Sequence, residues 1–367
     1  MELHNLPGLE TERRIDRVAQ PFFSICIPQY NRTSFLLEAL RSFAAQTFKD
    51  FEVCISDDCS TDGRASEILE FLQASGLSFV YRRQERNSRY DANLRASIAL
   101  ARGEYCLLLG NDDGLTAPDS LAIYREHLLR YAPVGVATCN FVQAGTGTVI
   151  RRVKGTRKAQ GGPATAAKVY RNFSFVGGVV LRRERAQAHA TDRWDGGEMY
   201  QTFLASRIIA EGNDLLNIDD VLVNMGLVIA GESVDSVFRR ERLDPCPIIE
   251  RRIPLAQMAR IVSDAIGPYM QASEWPRLTE WIIAQLYLFP YPYWLLTYRR
   301  IQSRRYSLGI ALGMRPRVVA QGIPLPIVSR IRLLILYVLA STGGLILPLG
   351  VFDASKGPLL RLAKALT

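Results

Sequence analysis

This chain is poor in histidine: His4, His127 and His189 are the only three in 367 residues. They are scattered and form no metal-ligand spacing. Six cysteines, at 26, 54, 59, 106, 139 and 246, contain no CxxC pair. Four fall in strand-like runs or the turns after them, so buried reduced thiols of a cytosolic protein are expected, not a disulfide framework. The N-terminal stretch holding Glu2, Glu10, Glu12, Arg13 and Arg14 lacks an apolar core, which argues against a signal peptide. No internal repeat or low-complexity tract stands out. With 48% hydrophobic and 22% charged residues, the composition is that of a globular protein. The formal charge is +9. Such a balance can signal nucleic-acid binding, but no nucleic-acid module is recognisable, and nucleic acid is not an expected partner.

What the chain does have is acidic turns after short apolar runs. Glu104 to Gly110 reads as a buried strand and leads into Asn111-Asp112-Asp113-Gly114. Two adjacent carboxylates are too costly to bury unpaired, so they must face water or a cation. Asn-Asp-Asp-Gly is also good turn chemistry, and a solvated turn is the plain alternative. A second pair, Asp57-Asp58, follows the strand-like run from Phe51 to Ser56. Phe22 to Ile27 reads as a first strand, followed by Pro28-Gln29-Tyr30-Asn31. Between these runs, Leu36, Leu40 and Phe43 recur at helical spacing, with Asn31 or Thr33 able to cap the helix start. A second helix fits Arg64 to Ala74, a strand Ser78 to Arg82, and a third helix Asp91 to Arg102. Alternation of this kind predicts βαβ units on a parallel sheet. Tyr30, Asp57/Asp58 and Asp112/Asp113 then fall at the carboxyl ends of three strands, where open α/β sheets bind ligands. A hard divalent cation bridging a diphosphate would suit the carboxylates.

Five segments in this order resemble the inverting family 2 glycosyltransferases of GT-A fold. They are Ser24 to Arg32, Ala39 to Phe48, Phe51 to Asp62, Ala101 to Tyr105 and Asn111 to Asp113. The resemblance covers residues 21 to 130 well and continues weakly to about 225. It implies a Rossmann-like, mostly parallel sheet flanked by helices. It also implies residue roles: Pro28, Tyr30 and Asn31 form the first nucleotide-contacting turn, with Tyr30 stacking on the base. Asp58 accepts a hydrogen bond from the base, which suits uracil, thymine or guanine and rejects cytosine. Asp57 serves the base, the ribose or only the loop. Arg89, and as a second choice Arg86, could reach the diphosphate, the alternative for each being a solvated surface charge. Asp112 contacts ribose or metal, and Asp113 is the direct ligand of Mn²⁺ or Mg²⁺. The family's first acidic position here is Asn111.

An inverting displacement also needs a general base. The segment Trp194 to Tyr200 supplies Glu198 as first choice and Asp195 as second, although Glu198 could equally serve only the start of the following helix. Gly177-Gly178 precedes the apolar run Val179 to Leu181. It would allow close approach of backbone to a ligand, or mark a bulge.

The final third is basic and aromatic. Arginines cluster at 239–240, 251–252, 299–300 and 304–305, with Arg315, Arg317, Arg330 and Arg332 beyond. Leu333 to Phe352 runs 20 residues without a charge, long enough to cross a bilayer. Gly343, Gly344 and Pro348 interrupt it, so a span, a bent or interface-lying helix pair, or ordinary core helices remain open. The expected organisation is an extension (1–20), a GT-A domain (21–230) and a helical, membrane-associating region (231–367). The expected function is transfer of a sugar from a nucleoside-diphosphate sugar to a saccharide acceptor. A polyprenyl-diphosphate-linked acceptor fits, as in polysaccharide or O-antigen repeat-unit synthesis at the cytoplasmic face of the inner membrane. Attachment would be peripheral or through one C-terminal segment. The rivals are a catalytically silent nucleotide-sugar-binding homologue and a sugar-phosphate nucleotidyltransferase.

Overall fold

A computed structural model describes residues 10–13, 20–232, 254–351 and 354. Cys246, the arginine pairs at 239–240 and 251–252, and Phe352 lie outside these residues. The chain divides into two compact units, Met1–Gly162 with Arg171–Val234, and Pro163–Tyr170 with Asp235–Thr367.

The first unit is built on a sheet whose middle is parallel. Strand β2 (Phe23–Gln29) lies between β3 (Phe51–Asp57) and β5 (Tyr105–Leu108), parallel to both. Strand β4 (Ser78–Arg83) extends it, parallel to β3. Both faces of β2, β3 and β5 are buried, which is why these runs read as continuous apolar stretches. At the far edge, β1 (Glu10–Arg13) pairs antiparallel with β4, so part of the N-terminal extension belongs to the sheet.

Helix α1 (Thr33–Ala44) connects β2 to β3. It buries Phe35, Leu36, Leu40 and Phe43 on one stripe, each contributing about 2 kcal/mol. Its start departs from expectation. The N-cap is Arg32 in the left-handed conformation, with no side-chain cap. Thr33 Oγ1 instead donates to Asp62, and the Asn31 amide engages Thr61, because the loop after β3 offers both closer partners. Helices α2 (Ala65–Ala74) and α3 (Arg89–Ala99) complete the first βαβ units.

Past β5 the topology changes. Two residues, Gly114–Leu115 (β6), follow the Asp112-Asp113 turn. Helix α4 (Ser120–Arg130) and strand β7 (Val136–Gln143) come next, then short strands β8 (Thr148–Ile150) and β9 (Arg157–Ala159). After α5 (Pro163–Val169), strand β10 (Val179–Arg182) runs antiparallel between β5 and β7. Helices α6 (Arg183–Ala188) and α7 (Tyr200–Ala210) lead to β11 (Leu215–Met225), which pairs with both β7 and β6. The reversal at β10 brings Gly177-Gly178 to the carboxyl end of β5, beside the acidic turn.

In the second unit, α8 (Pro254–Ile266), α9 (Trp275–Leu288), α10 (Pro290–Ile301), α11 (Arg304–Gly313), α12 (Pro316–Val319) and α13 (Ile327–Ile346) pack together. Segment 163–170 joins them: Gln285 donates to the Ala167 carbonyl, and the Tyr170 hydroxyl donates to the Ile282 carbonyl. Pro290 opens α10, where a missing N–H costs nothing. Of these helices, α13 has the length and composition to cross a membrane, yet only 17% of its apolar window is buried.

Candidate active site

The carboxyl ends of β2, β3 and β5 carry the candidate residues on one edge of the sheet, as the alternating pattern implies. The backbone there is strained. Among the described residues, the non-glycine positions with positive φ are Asn31, Arg32, Cys59, Arg89 and Glu198. Four lie in the turns after β2 and β3 or at the start of α3, and the fifth precedes α7. Such conformations cost about 1 kcal/mol or more each and persist where surrounding contacts impose them, often at functional sites.

The β3 turn separates its two aspartates. Asp57 is fully buried. It accepts from Ser60 N at 2.8 Å, pairs with Arg83 at 3.2 Å, and accepts from the Tyr81 hydroxyl. These contacts tie it to its own loop and to the neighbouring strand. Asp58 is also buried, and burial pushes its pKa up. Three hydrogen bonds oppose that rise: Ser88 N at 2.7 Å, Ser88 Oγ at 2.9 Å and Arg89 N at 2.9 Å. Asp58 thus ties the β3 turn to the start of α3. Arg89 meets it through backbone, and the Arg89 and Arg86 side chains are exposed.

The β2 turn meets the acidic turn. Pro28 is buried within β2, while Tyr30 and Asn31 are partly exposed. Gln29 donates to the Asn31 carbonyl at 2.6 Å, and Asn111 donates to Gln29 Oε1 at 2.9 Å. Arg32 pairs with Asp112 at 2.8 Å and covers the Phe35 ring at 4.2 Å. Its Nε and Nη2 are buried without a hydrogen-bond partner.

Asp113 is the most perturbed carboxylate. It is 2% exposed, and burial, then the charge of Asp112, push its pKa up to about 7. Its oxygens accept only backbone bonds, from Gly110 N and Gly226 N, both at 3.1 Å. Gly177 lies so close that a Cβ there would stand 2.7 Å from Asp113 Oδ2. Any side chain at 177 would force Asp113 or Phe175 to move. Arg152 is nearby: it donates to the Gly177 carbonyl at 2.9 Å and the Phe175 carbonyl at 3.0 Å, and stacks on Phe141 and Phe175. Its charge lowers the Asp113 pKa, but less than burial raises it.

The loop before α7 is held by α3. Asp91, 1% exposed, accepts from Gly196 N at 2.9 Å, Glu198 N at 2.7 Å and Tyr200 N at 3.0 Å. Asp91 therefore holds the loop and bonds the first N–H of α7. One turn along α3, Arg95 grips Asp195 through two bonds of 2.6 and 2.7 Å. Asp195 is thus ion-paired, while Glu198 sits at a strained position with φ 58°. The partly buried Tyr90 donates its hydroxyl to Gln201 at 3.1 Å, and burial, then the charges of Asp91, Asp113 and Glu198, raise its pKa. Tyr90 therefore stands among these carboxylates.

Sequence reasoning missed Arg32, Tyr90, Asp91 and Arg152. Arg32 was adjacent to an assigned turn and could have been singled out. The other three carry no local signal, because their partners are distant in sequence. Among the described residues, no group of three or more His, Cys, Asp or Glu side chains could hold a metal ion by itself.

Residues 24–184 match the sequence model described as glycosyl transferase family 2. The abequosyltransferase RfbV of Salmonella typhimurium is 45% identical over 107 residues, covering 29% of this chain and 32% of that protein. A putative colanic acid biosynthesis glycosyl transferase of Escherichia coli, WcaA, is 31% identical over 108 residues, covering 29% and 38%. The matched segment thus spans about a third of the length of these relatives. Residues 1–349 of S. aureus TarS, solved with UDP, superpose with TM-score 0.59 at 16% identity, covering 88% of this chain and 90% of that one. The mannosyltransferase PcManGT of Pyrobaculum calidifontis, solved with GDP-Man and Mn²⁺, gives TM-score 0.51 at 17% identity, covering 97% and 89%. The fold is accordingly that of these glycosyltransferases.

Proposed function

We propose that this chain, whose residues 24–184 match the glycosyl transferase family 2 model, transfers a sugar from a nucleoside-diphosphate donor to a saccharide acceptor. The observation that carries the reading is Asp113: a buried carboxylate without a side-chain cation bonded to it, at the same strand edge as the Asp58 turn. In this reading Pro28, Tyr30 and Asn31 bound the base pocket. Asp58 accepts from the base, Asp57 holds the turn, and Arg89 approaches the diphosphate.

Asp113 suits a divalent cation. Its carboxylate is destabilised by burial, so a bound positive charge would be favoured, and its oxygens have capacity beyond the two backbone bonds. Asp113, with Asp112 in support, would hold Mn²⁺ or Mg²⁺ when the donor is bound. A metal there supplies charge stabilisation to the departing diphosphate. The chain's own work is to orient the donor and to accept a proton. An acceptor hydroxyl attacks the anomeric carbon, the nucleoside diphosphate leaves, and Glu198 takes the hydroxyl proton. A displacement from the opposite face inverts the anomeric centre.

The colanic acid biosynthesis in the name of WcaA, together with the apolar α13, favours a polyprenyl-diphosphate-linked saccharide as acceptor. The working place would then be the cytoplasmic face of the inner membrane. Calorimetric titration of the detergent-purified protein with UDP, TDP, GDP and CDP, with and without Mn²⁺, tests the donor site. Metal-dependent binding of one nucleotide, lost in Asp113→Ala, is the expected result. Equal nucleotide binding by wild type and Asp113→Ala would refute the metal assignment.

A further inference from the structure

Helix α13 turns most of its large aliphatic side chains outward. Toward its own unit it buries Leu333, but the other inward groups are small or carry a hydroxyl. Ser329 donates to Glu280 at 2.6 Å, Ser341 and the Tyr291 hydroxyl share a 2.6 Å bond, and Tyr337 donates to the Ala311 carbonyl at 2.9 Å. Gly344 lies directly against Leu295. Outward it presents Ile327, Ile331, Leu334, Ile335, Val338 and Leu339, each between 49% and 69% exposed. At the α-helical repeat these six cover an arc of about 140°. Exposed Arg330 and Arg332 border the arc, one on each side. A helix packed for water does the reverse, and so large an apolar face marks an interaction surface.

The charge of the region names the partner. Between Glu280 and Asp353 the sequence has eight arginines, no lysine and no acidic residue, a net charge of +8. A surface of that kind repels a second copy of itself and attracts anionic lipid. We propose that α13 docks this unit on an anionic lipid surface. It lies in the headgroup–acyl plane with its outward face immersed, and it does not cross. Crossing would carry its bonded neighbours into hydrocarbon. Helix α11, which receives the Tyr337 bond, begins with the exposed Arg304 and Arg305, and the Gly344 carbonyl is held by Arg299 at 2.8 Å. Charges at such depth are expensive. An interfacial helix keeps the arginine heads in water while their stems line the apolar face.

This inference rests on the reading that the chain works at a membrane. The test uses the full chain and phosphatidylcholine vesicles with or without phosphatidylglycerol. Binding should require phosphatidylglycerol and weaken with salt. Ile331→Glu/Ile335→Glu should reduce it about tenfold while leaving the circular dichroism spectrum and nucleotide binding unchanged. Depth is read from quenching by brominated lipid of Ile331→Trp and Ile346→Trp, each against the parent. These positions lie ~22 Å apart along the helix axis, and equal shallow depths are expected. Unequal depths would overturn the in-plane arrangement alone. Unimpaired vesicle binding by the double variant would overturn the docking face. Absence of vesicle binding by a protein that still binds nucleotide would overturn the membrane reading itself. Self-association of that protein, lost in the double variant, would assign the face to a second copy.

Discussion

Replacing Asp113 by Asn should change how the stability of this protein depends on pH. The carboxyl is raised from its ordinary 3.8 to about 7, first by burial and then by Asp112. That gap corresponds to about 4 kcal/mol against the ionised form. The sign follows from linkage. Below pH 3.8 the group is neutral in both states and costs nothing. Between 3.8 and about 7 the unfolded chain is ionised while the folded one keeps its proton, so stability falls as pH rises. Above about 7 the whole penalty is present. Asp113→Asn removes this dependence but sets an amide against the N–H groups of Gly110 and Gly226, a pH-independent loss of about 1–3 kcal/mol. The informative quantity is therefore the slope of the difference between the two proteins, since Asp58 and Asp91 titrate alike in both. In metal-free buffer the difference in melting temperature should shift by about 5 °C between pH 4 and 7. A difference that stays constant over this range would refute the argument. The same proton competes with a cation. If Asp113 holds the metal, the Mn²⁺ dependence of nucleotide binding should rise about tenfold per pH unit up to about 7 and then level.

Glu198→Gln should retain nucleotide affinity and lose transfer, whereas Asp195→Asn should lose about 1 kcal/mol of stability through the Arg95 pair and keep most turnover. Single-turnover assays with the donor identified by calorimetry check this, and the reverse pattern would move the base to Asp195. Asp91→Ala leaves the amides of Gly196, Glu198 and Tyr200 without their acceptor. Hydrogen exchange at those three amides should accelerate by about tenfold or more, while exchange in β2 and β3 stays slow. Unchanged exchange there would mean that Asp91 does not hold the loop.

Much of the donor half was legible because its signals are local. The apolar runs ending at Ile27, Ser56 and Leu109 mark strands by their own composition, and helical spacing between them forces parallel pairing. Once the sheet is parallel, Tyr30, Asp58 and Asp113 must share an edge, whatever else the chain does. Positions that depend on distant partners were not legible. Whether Asp57 or Asp58 faced the edge was decided by Tyr81 and Arg83 on the neighbouring strand. The loop that carries Glu198 is held by Asp91, more than a hundred residues earlier. The reversal at β10 placed Gly177 against Asp113, a contact that neither glycine chemistry nor turn chemistry announces. The apolar run after Arg332 shows the same division. Its length and hydrophobicity belong to the sequence, but length is compatible with crossing, lying flat or burial. Which face of α13 points outward depends on what Glu280, Tyr291 and Leu295 already cover, and only the tertiary structure decides that.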